Sequence, residues 1–141
     1  MKIVIATGNA GKMKEIKSIF NNSDYEVVSM KEEGIVADVD ENGSTFEENA
    51  LIKAREIAKL SGNIVLADDS GLEVVYLNKE PGIYSARYMG EDTPYSIKNA
   101  SLIARLDGVE FEKRTARFVC AVAAVYPDGK ELGVRETMEG Y

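Results

Sequence analysis

Histidine and tryptophan are absent from the 141 residues, cysteine occurs once and proline three times. Without histidine there is no Ser-His-Asp or Cys-His catalysis and no imidazole ligand for zinc. The lone thiol of Cys120 has no partner for an internal disulfide, which fits a reducing compartment, the cytoplasm. Long apolar runs are missing as well. None approaches the roughly 18 residues of a membrane span, and the opening "MKIVIATGN" reads as a first strand, too short for a signal peptide. No membrane partner is therefore expected. Positive charge is also scarce: 17 Lys and Arg face 24 Asp and Glu, for a net charge of -7. A nonspecific nucleic-acid binder needs a basic face, so no nucleic acid is expected as a partner. An anionic substrate would have to be met by local lysines, helix N-termini or a bound cation. The tools left for chemistry are carboxylates, lysines, backbone amides and a hard metal such as Mg2+.

A hydrophobic fraction of 45% and a charged fraction of 29% are those of a soluble globular chain, and the length suits one domain over residues 1–141. Residues 2–6 read as a buried strand, and "TGNAGK" as a turn. Met13, Ile16, Ile19 and Phe20 then recur at helical spacing over 12–20. Residues 25–36 read as a strand and loop, and "ADVDENG" (37–43) as an acidic connector. Thr45-Phe46-Glu47-Glu48 has the form of a capping box opening a helix that runs to about Leu60. Residues 64–67 and 72–77 read as strands around an acidic turn, 79–88 as a loop, and 93–106 as a helix with Thr93 at the N-cap and Pro94 first inside. "PDG" (127–129) marks a hairpin between strands 115–126 and 130–137. The expected class is α/β, a mixed central sheet with flanking helices.

Four stretches carry residues suited to chemistry. In "ATGNAGKMKE" (6–15) a strand passes through Thr7, Gly8, Asn9, Ala10 and Gly11 into a helix, presenting backbone N–H groups and the ammonium of Lys12 to a phosphate. The spacing is not that of a Walker A loop, and an ordinary β–α turn reads equally well. On the helix from Phe46, the residues Asn49, Lys53 and Glu56 share a stripe beside the apolar Phe46, Ala50, Ala54 and Ile57. Asn49 and Lys53 then form a donor pair for an anion, or else the stripe is a solvated edge with a Lys53–Glu56 pair. In "LADDSGLEV" (66–74) two carboxylates interrupt an apolar run. If strand geometry persists they point to opposite faces, so one reaches a cleft while the other braces the backbone. Ser70 and Gly71 offer a hydroxyl and a close backbone approach. In "PGIYSARY" (81–88), Ser85 and Arg87 suit a phosphate, a carboxylate or a partner subunit, or sit in a plain surface loop. Glu41 alone reads as a solvated charge.

In this order the stretches resemble the inosine-triphosphate pyrophosphatase family, the dITP/XTP pyrophosphatases. The resemblance rests on Thr7-Gly8-Asn9 with Lys12 and Glu15, Phe46 with Glu48-Asn49-Ala50 and Lys53-Ala54, Asp68 to Leu72, and Pro81 to Tyr88, with "RTARFVCAVA" at 114–123. It implies a Mg2+-dependent homodimer that hydrolyses nucleoside triphosphates of deaminated purines (dITP, ITP, XTP) to the monophosphate and pyrophosphate. It further implies Asp69 as general base and metal-site residue and Glu41 as its companion at the metal. Thr7 to Lys12, Asn49, Lys53, Ser70 and Arg87 fall to the substrate. The family's later GFGYDP-like and Ser-His-Arg motifs, which recognise the base, do not occur in residues 1–141. The expectation is therefore a shortened pyrophosphatase domain with weak activity and poor base discrimination. Its alternative is an inactive nucleotide-binding or dimerisation module of the same fold.

Overall fold

Strand β1 (Lys2–Ile5) lies between two parallel partners, β2 (Glu26–Ser29) and β3 (Ile64–Val74), with Ile3 opposite Val27 and Ile64. A computed structural model describes all 141 residues. Six strands form one mixed sheet in the order β2-β1-β3-β5-β6. Strand β4 (Glu80–Pro81) pairs antiparallel with β3, while β5 spans Ala116–Val125 and β6 spans Glu131–Gly140. The α/β class and the mixed sheet agree with the expectation. The chain packs as two compact units, Met1–Asp69 with Ala121–Arg135 and Ser70–Cys120 with Glu136–Tyr141.

In the first unit, burial on both faces explains the continuous apolar sequence of β1, whose Ile3, Val4 and Ile5 are buried. Helix α1 (Ala10–Ile19) begins two residues earlier than the hydrophobic spacing predicts, because Asn9 caps it by accepting from the Lys12 amide at 3.0 Å. Its Met13 and Ile16, with Phe20 beyond it, pack on Ile3, Ile5 and Ile64. Helix α2 (Phe46–Ser61) starts at the expected cap, with Thr45 Oγ1 accepting from the Glu48 amide at 3.1 Å. Glu48 accepts from the Ser44 amide (2.7 Å), one residue beyond the N-cap amide that a standard capping box engages. Phe46, Ala50, Ala54 and Ile57 are buried as their spacing predicts, and Gly62 (φ 67°) ends the helix in the left-handed region that favours glycine. The "PDG" turn closes on a Tyr126 amide that donates to the Lys130 carbonyl at 2.8 Å.

The expected acidic turn at 68–71 does not exist. Strand β3 runs unbroken for 11 residues through both aspartates, Ser70 and Gly71. The turn-like composition is overridden by side chains from elsewhere in the chain that meet the two carboxylates.

The second unit has its own core of Val74, Leu77, Leu102 and Leu106, with Leu72, Tyr88, Val109 and Ala116 packed against it. Helix α3 (Tyr95–Arg105) begins later than predicted. Thr93 Oγ1 donates to the Met89 carbonyl at 2.5 Å, so it is not the cap and Pro94 takes that position. Lys98 of α3 is buried, its Nζ donating to the Ala86 carbonyl at 2.8 Å beside the ring of Tyr95. No helix of the chain is long and apolar enough to cross a membrane.

Candidate active site

Because β3 continues through Asp68 and Asp69, the two side chains leave opposite faces of the strand. Each meets a different element of the first unit. On one side, Asp68 Oδ2 lies 2.6 Å from Lys12 Nζ, so Asp68 braces the glycine-bearing loop rather than a turn of its own. On the other, Asp69 meets Asn49 and Lys53 of α2 and Glu41 of the acidic connector.

Helix α2 sets this second cluster. Asn49 and Lys53 are one turn apart and project from the same face. Asn49 is 2% exposed, and its Oδ1 accepts from the Gly43 amide at 2.8 Å while its side chain hydrogen-bonds Asp69. That contact leaves no room for a larger residue at position 43. A Cβ there would stand 2.8 Å from both Asn49 Oδ1 and Glu48 Cβ. Lys53 Nζ lies 3.2 Å from Glu41 Oε1, and Glu56 instead accepts from Lys59 at 3.2 Å. The Lys53–Glu56 pair of the solvated-edge reading is therefore not formed.

Asp69 is the most perturbed carboxylate of the site. Burial, and then the negative charge of Glu41, raise its pKa from 3.8 to about 6, against the Asn49 hydrogen bond and the Lys53 ammonium. Its Oδ2 is buried with no hydrogen-bond partner. An orphaned carboxylate oxygen beside a second carboxylate is an arrangement that a hard divalent cation relieves, and Mg2+ typically takes one or two carboxylates plus substrate phosphates. The donor set of Asp69 and Glu41 fits such an ion.

The glycine-bearing loop is exposed where it turns. Thr7 Oγ1 accepts from the Asn9 amide at 3.1 Å, and Gly8, Asn9, Ala10 and Gly11 face solvent at the start of α1. Thr7 to Ala10 also line a cavity of about 530 Å³ whose far wall is formed by residues between Ser29 and Ala37. In the second unit, Ser70 is half-buried on β3, and Arg87 is exposed in the loop after β4. Ser85 is a structural residue there: its Oγ accepts from the Leu72 amide (2.9 Å) and donates to the Gly82 carbonyl (2.6 Å).

Sequence reasoning placed Asn49 and Lys53 on one helix stripe, Glu41 in the acidic connector and Asp69 in a third stretch, and the first unit brings all four together. It missed the role of Gly43. The available signal was a glycine just ahead of a helix cap, six residues before a polar side chain on the helix's buried face.

A family model described as Ham1 family matches residues 3–141. The dITP/XTP pyrophosphatase of Exiguobacterium sibiricum is 47% identical over 140 residues, covering 99% of this chain and 71% of that protein. Among solved structures, the Staphylococcus aureus Ham1 protein superposes with a TM-score of 0.90 at 44% identity, covering 99% of this chain and 71% of that one. A HAM1 protein from Coxiella burnetii gives a TM-score of 0.90 at 34% identity, covering 99% and 72%.

Proposed function

This chain belongs to the Ham1 family, and from that premise we propose that it is a nucleoside-triphosphate pyrophosphatase acting on dITP, ITP and XTP. Relatives named dITP/XTP pyrophosphatase align with nearly all of its length. The reaction removes non-standard purine nucleotides from the pool as the monophosphate and pyrophosphate. The observation that carries the reading is the buried, unpartnered Oδ2 of Asp69 beside Glu41, on a carboxyl whose pKa is raised to about 6.

A carboxylate of that basicity is mostly ionised at neutral pH and is a better proton acceptor than an ordinary aspartate. Asp69 takes a proton from the attacking water as its oxygen bonds to the α-phosphorus. The bond from the α-phosphorus to the bridging oxygen breaks, and pyrophosphate leaves with the electron pair. Glu41 and Asp69 would hold Mg2+, which offsets phosphate charge and makes a bound water more acidic. Lys12 and Lys53, each held by a carboxylate, and the amides at the start of α1 stabilise charge on the phosphates. The family resemblance further implies Asn49, Ser70 and Arg87 as substrate residues. The cytoplasm is assigned on the lone thiol of Cys120 and a homodimer on family resemblance; light scattering on a sizing column tests the latter.

The test is incubation with dITP, ITP or XTP and Mg2+, with separate assays for pyrophosphate and orthophosphate. Pyrophosphate and nucleoside monophosphate in equal amounts are expected, with loss of turnover in Asp69→Asn. A folded chain that releases orthophosphate instead, or an Asp69→Asn variant with full activity, overturns the reading.

A further inference from the structure

Asn49 stands out within the site because it is the most buried of the residues assigned to substrate, at 2% exposed. A side chain that is to meet a solvated triphosphate is ordinarily open on the side the ligand comes from. The two ends of this carboxamide are directed at the protein. Its Oδ1 accepts from the Gly43 amide, two residues after Glu41, at 2.8 Å, and the amide end hydrogen-bonds Asp69. The carboxamide thus joins the connector that carries Glu41 to the strand that carries Asp69. These two segments have no covalent proximity, being 28 residues apart in the chain (41 to 69).

The surroundings make the link stiff. Gly43 admits no Cβ without displacing Asn49 Oδ1 and Glu48 Cβ, both 2.8 Å from where that atom would stand. The next residue, Ser44, is pinned by its amide to Glu48 Oε2 at 2.7 Å, and Thr45 caps the helix that bears Asn49. A short connector tied at two consecutive amides to one helix turn has little freedom to move Glu41 relative to Asp69. Without such a tie the two carboxylates, which repel one another, would drift apart.

We propose that Asn49 is a positioning residue rather than a substrate contact: it fixes the spacing of Glu41 and Asp69 and so builds the cation site. This rests on the reading of those two carboxylates as the Mg2+ ligands. Removing such a residue, which orients ligands without touching the ion, typically costs 10- to 100-fold in metal affinity.

The experiment measures Mg2+ binding by calorimetry without nucleotide, together with kcat and KM for dITP at saturating Mg2+. Wild type, Asn49→Ala, Asn49→Ser and Gly43→Ala are compared. Gly43→Ala keeps the carboxamide but crowds its anchor, and Asn49→Ser is the milder replacement should Asn49→Ala not fold. A positioning role predicts Mg2+ affinity lowered about 10- to 100-fold in the position-49 variants, and lowered in Gly43→Ala too, with kcat reduced and KM for dITP nearly unchanged. A substrate contact predicts the reverse, with KM raised in the position-49 variants, Mg2+ affinity intact and Gly43→Ala near wild type; that result overturns the proposal. If the wild-type chain binds no Mg2+ at all, the metal assignment of Glu41 and Asp69 falls and this inference falls with it. Equal Mg2+ binding by wild type and variants removes only the role of Asn49.

Discussion

Replacing Asp69 with asparagine is expected to abolish turnover and yet make the chain more stable at pH 8. The pKa of this carboxyl is raised from 3.8 to about 6 by burial and by Glu41. The folded chain therefore binds that proton more tightly than the unfolded chain does. Below about pH 4 both states are protonated and the group costs nothing. Between about pH 4 and 6 the unfolded state loses its proton first, so stability falls as pH rises, and above that window the penalty is constant. A difference of roughly two pKa units sets a ceiling of about 3 kcal/mol, since each unit is worth about 1.4 kcal/mol. Solvent reaches part of this half-buried group and screens it, which reduces the expected gain to about 1–2 kcal/mol.

Asparagine keeps the shape and the contacts. Its Oδ1 still accepts from Asn49, and its Nδ2 gives Glu41 a donor in place of a like charge. Urea denaturation of both proteins at pH 8 and pH 5, without divalent ions, measures the effect. The advantage of Asp69→Asn at pH 5 should be roughly half that at pH 8. Saturating Mg2+ should then stabilise the wild type alone and narrow the gap, because a ligand stabilises only the state that binds it. A variant less stable than wild type at pH 8, or an advantage independent of pH, refutes the account of Asp69 as a charged group held against its preference.

The same ionisation should govern the rate. At limiting Mg2+, kcat/KM is expected to rise with pH through a midpoint near 6, the value for Asp69, and the midpoint should move down as Mg2+ is raised, since the cation favours the charged carboxylate; a profile flat from pH 5 to 8 counts against Asp69 as base. Thr45→Ala removes the acceptor for the Glu48 amide and should lower stability by about 1 kcal/mol, read from the urea midpoint; an unchanged midpoint would show that the cap contributes nothing.

Local signals were legible in the sequence where local physics decides the outcome. The Thr45 cap, the buried stripe of Phe46, Ala50, Ala54 and Ile57, and the "PDG" hairpin each depend on residues within a turn or two of one another, and each appears at its expected place. The failures have two different causes. Asp68-Asp69-Ser70-Gly71 has the composition of a turn, yet it is strand, because Lys12 reaches Asp68 across 56 residues and α2 supplies Asn49 and Lys53 to Asp69. Thr93-Pro94 has the look of a cap and first residue, but the Thr93 hydroxyl is already taken by the Met89 carbonyl. At Asp68–Gly71 contacts from outside the local window outweighed propensity, and no period or motif in one sequence encodes such a contact; at Thr93 the competing contact is local, four residues back.

The charges gathered around β3 connect these misreadings to function. Lys12 with Asp68 and Lys53 with Glu41 are two matched pairs, and Asp69 is the unmatched fifth member. Two positive charges against three negative ones leave the cluster at -1, within a chain whose net charge is already -7. A triphosphate should be repelled by that sum despite the two lysines, because both ammonium groups are engaged by carboxylates. A divalent cation held by Asp69 and Glu41 would change the sum to +1 and compete with Lys53 for the Glu41 carboxylate. Such a site would attract an anion and leave Lys53 more available to it. The raised pKa of Asp69 is then the energetic cost of a carboxylate held without a cation, and a metal there would supply the missing charge along with its chemistry.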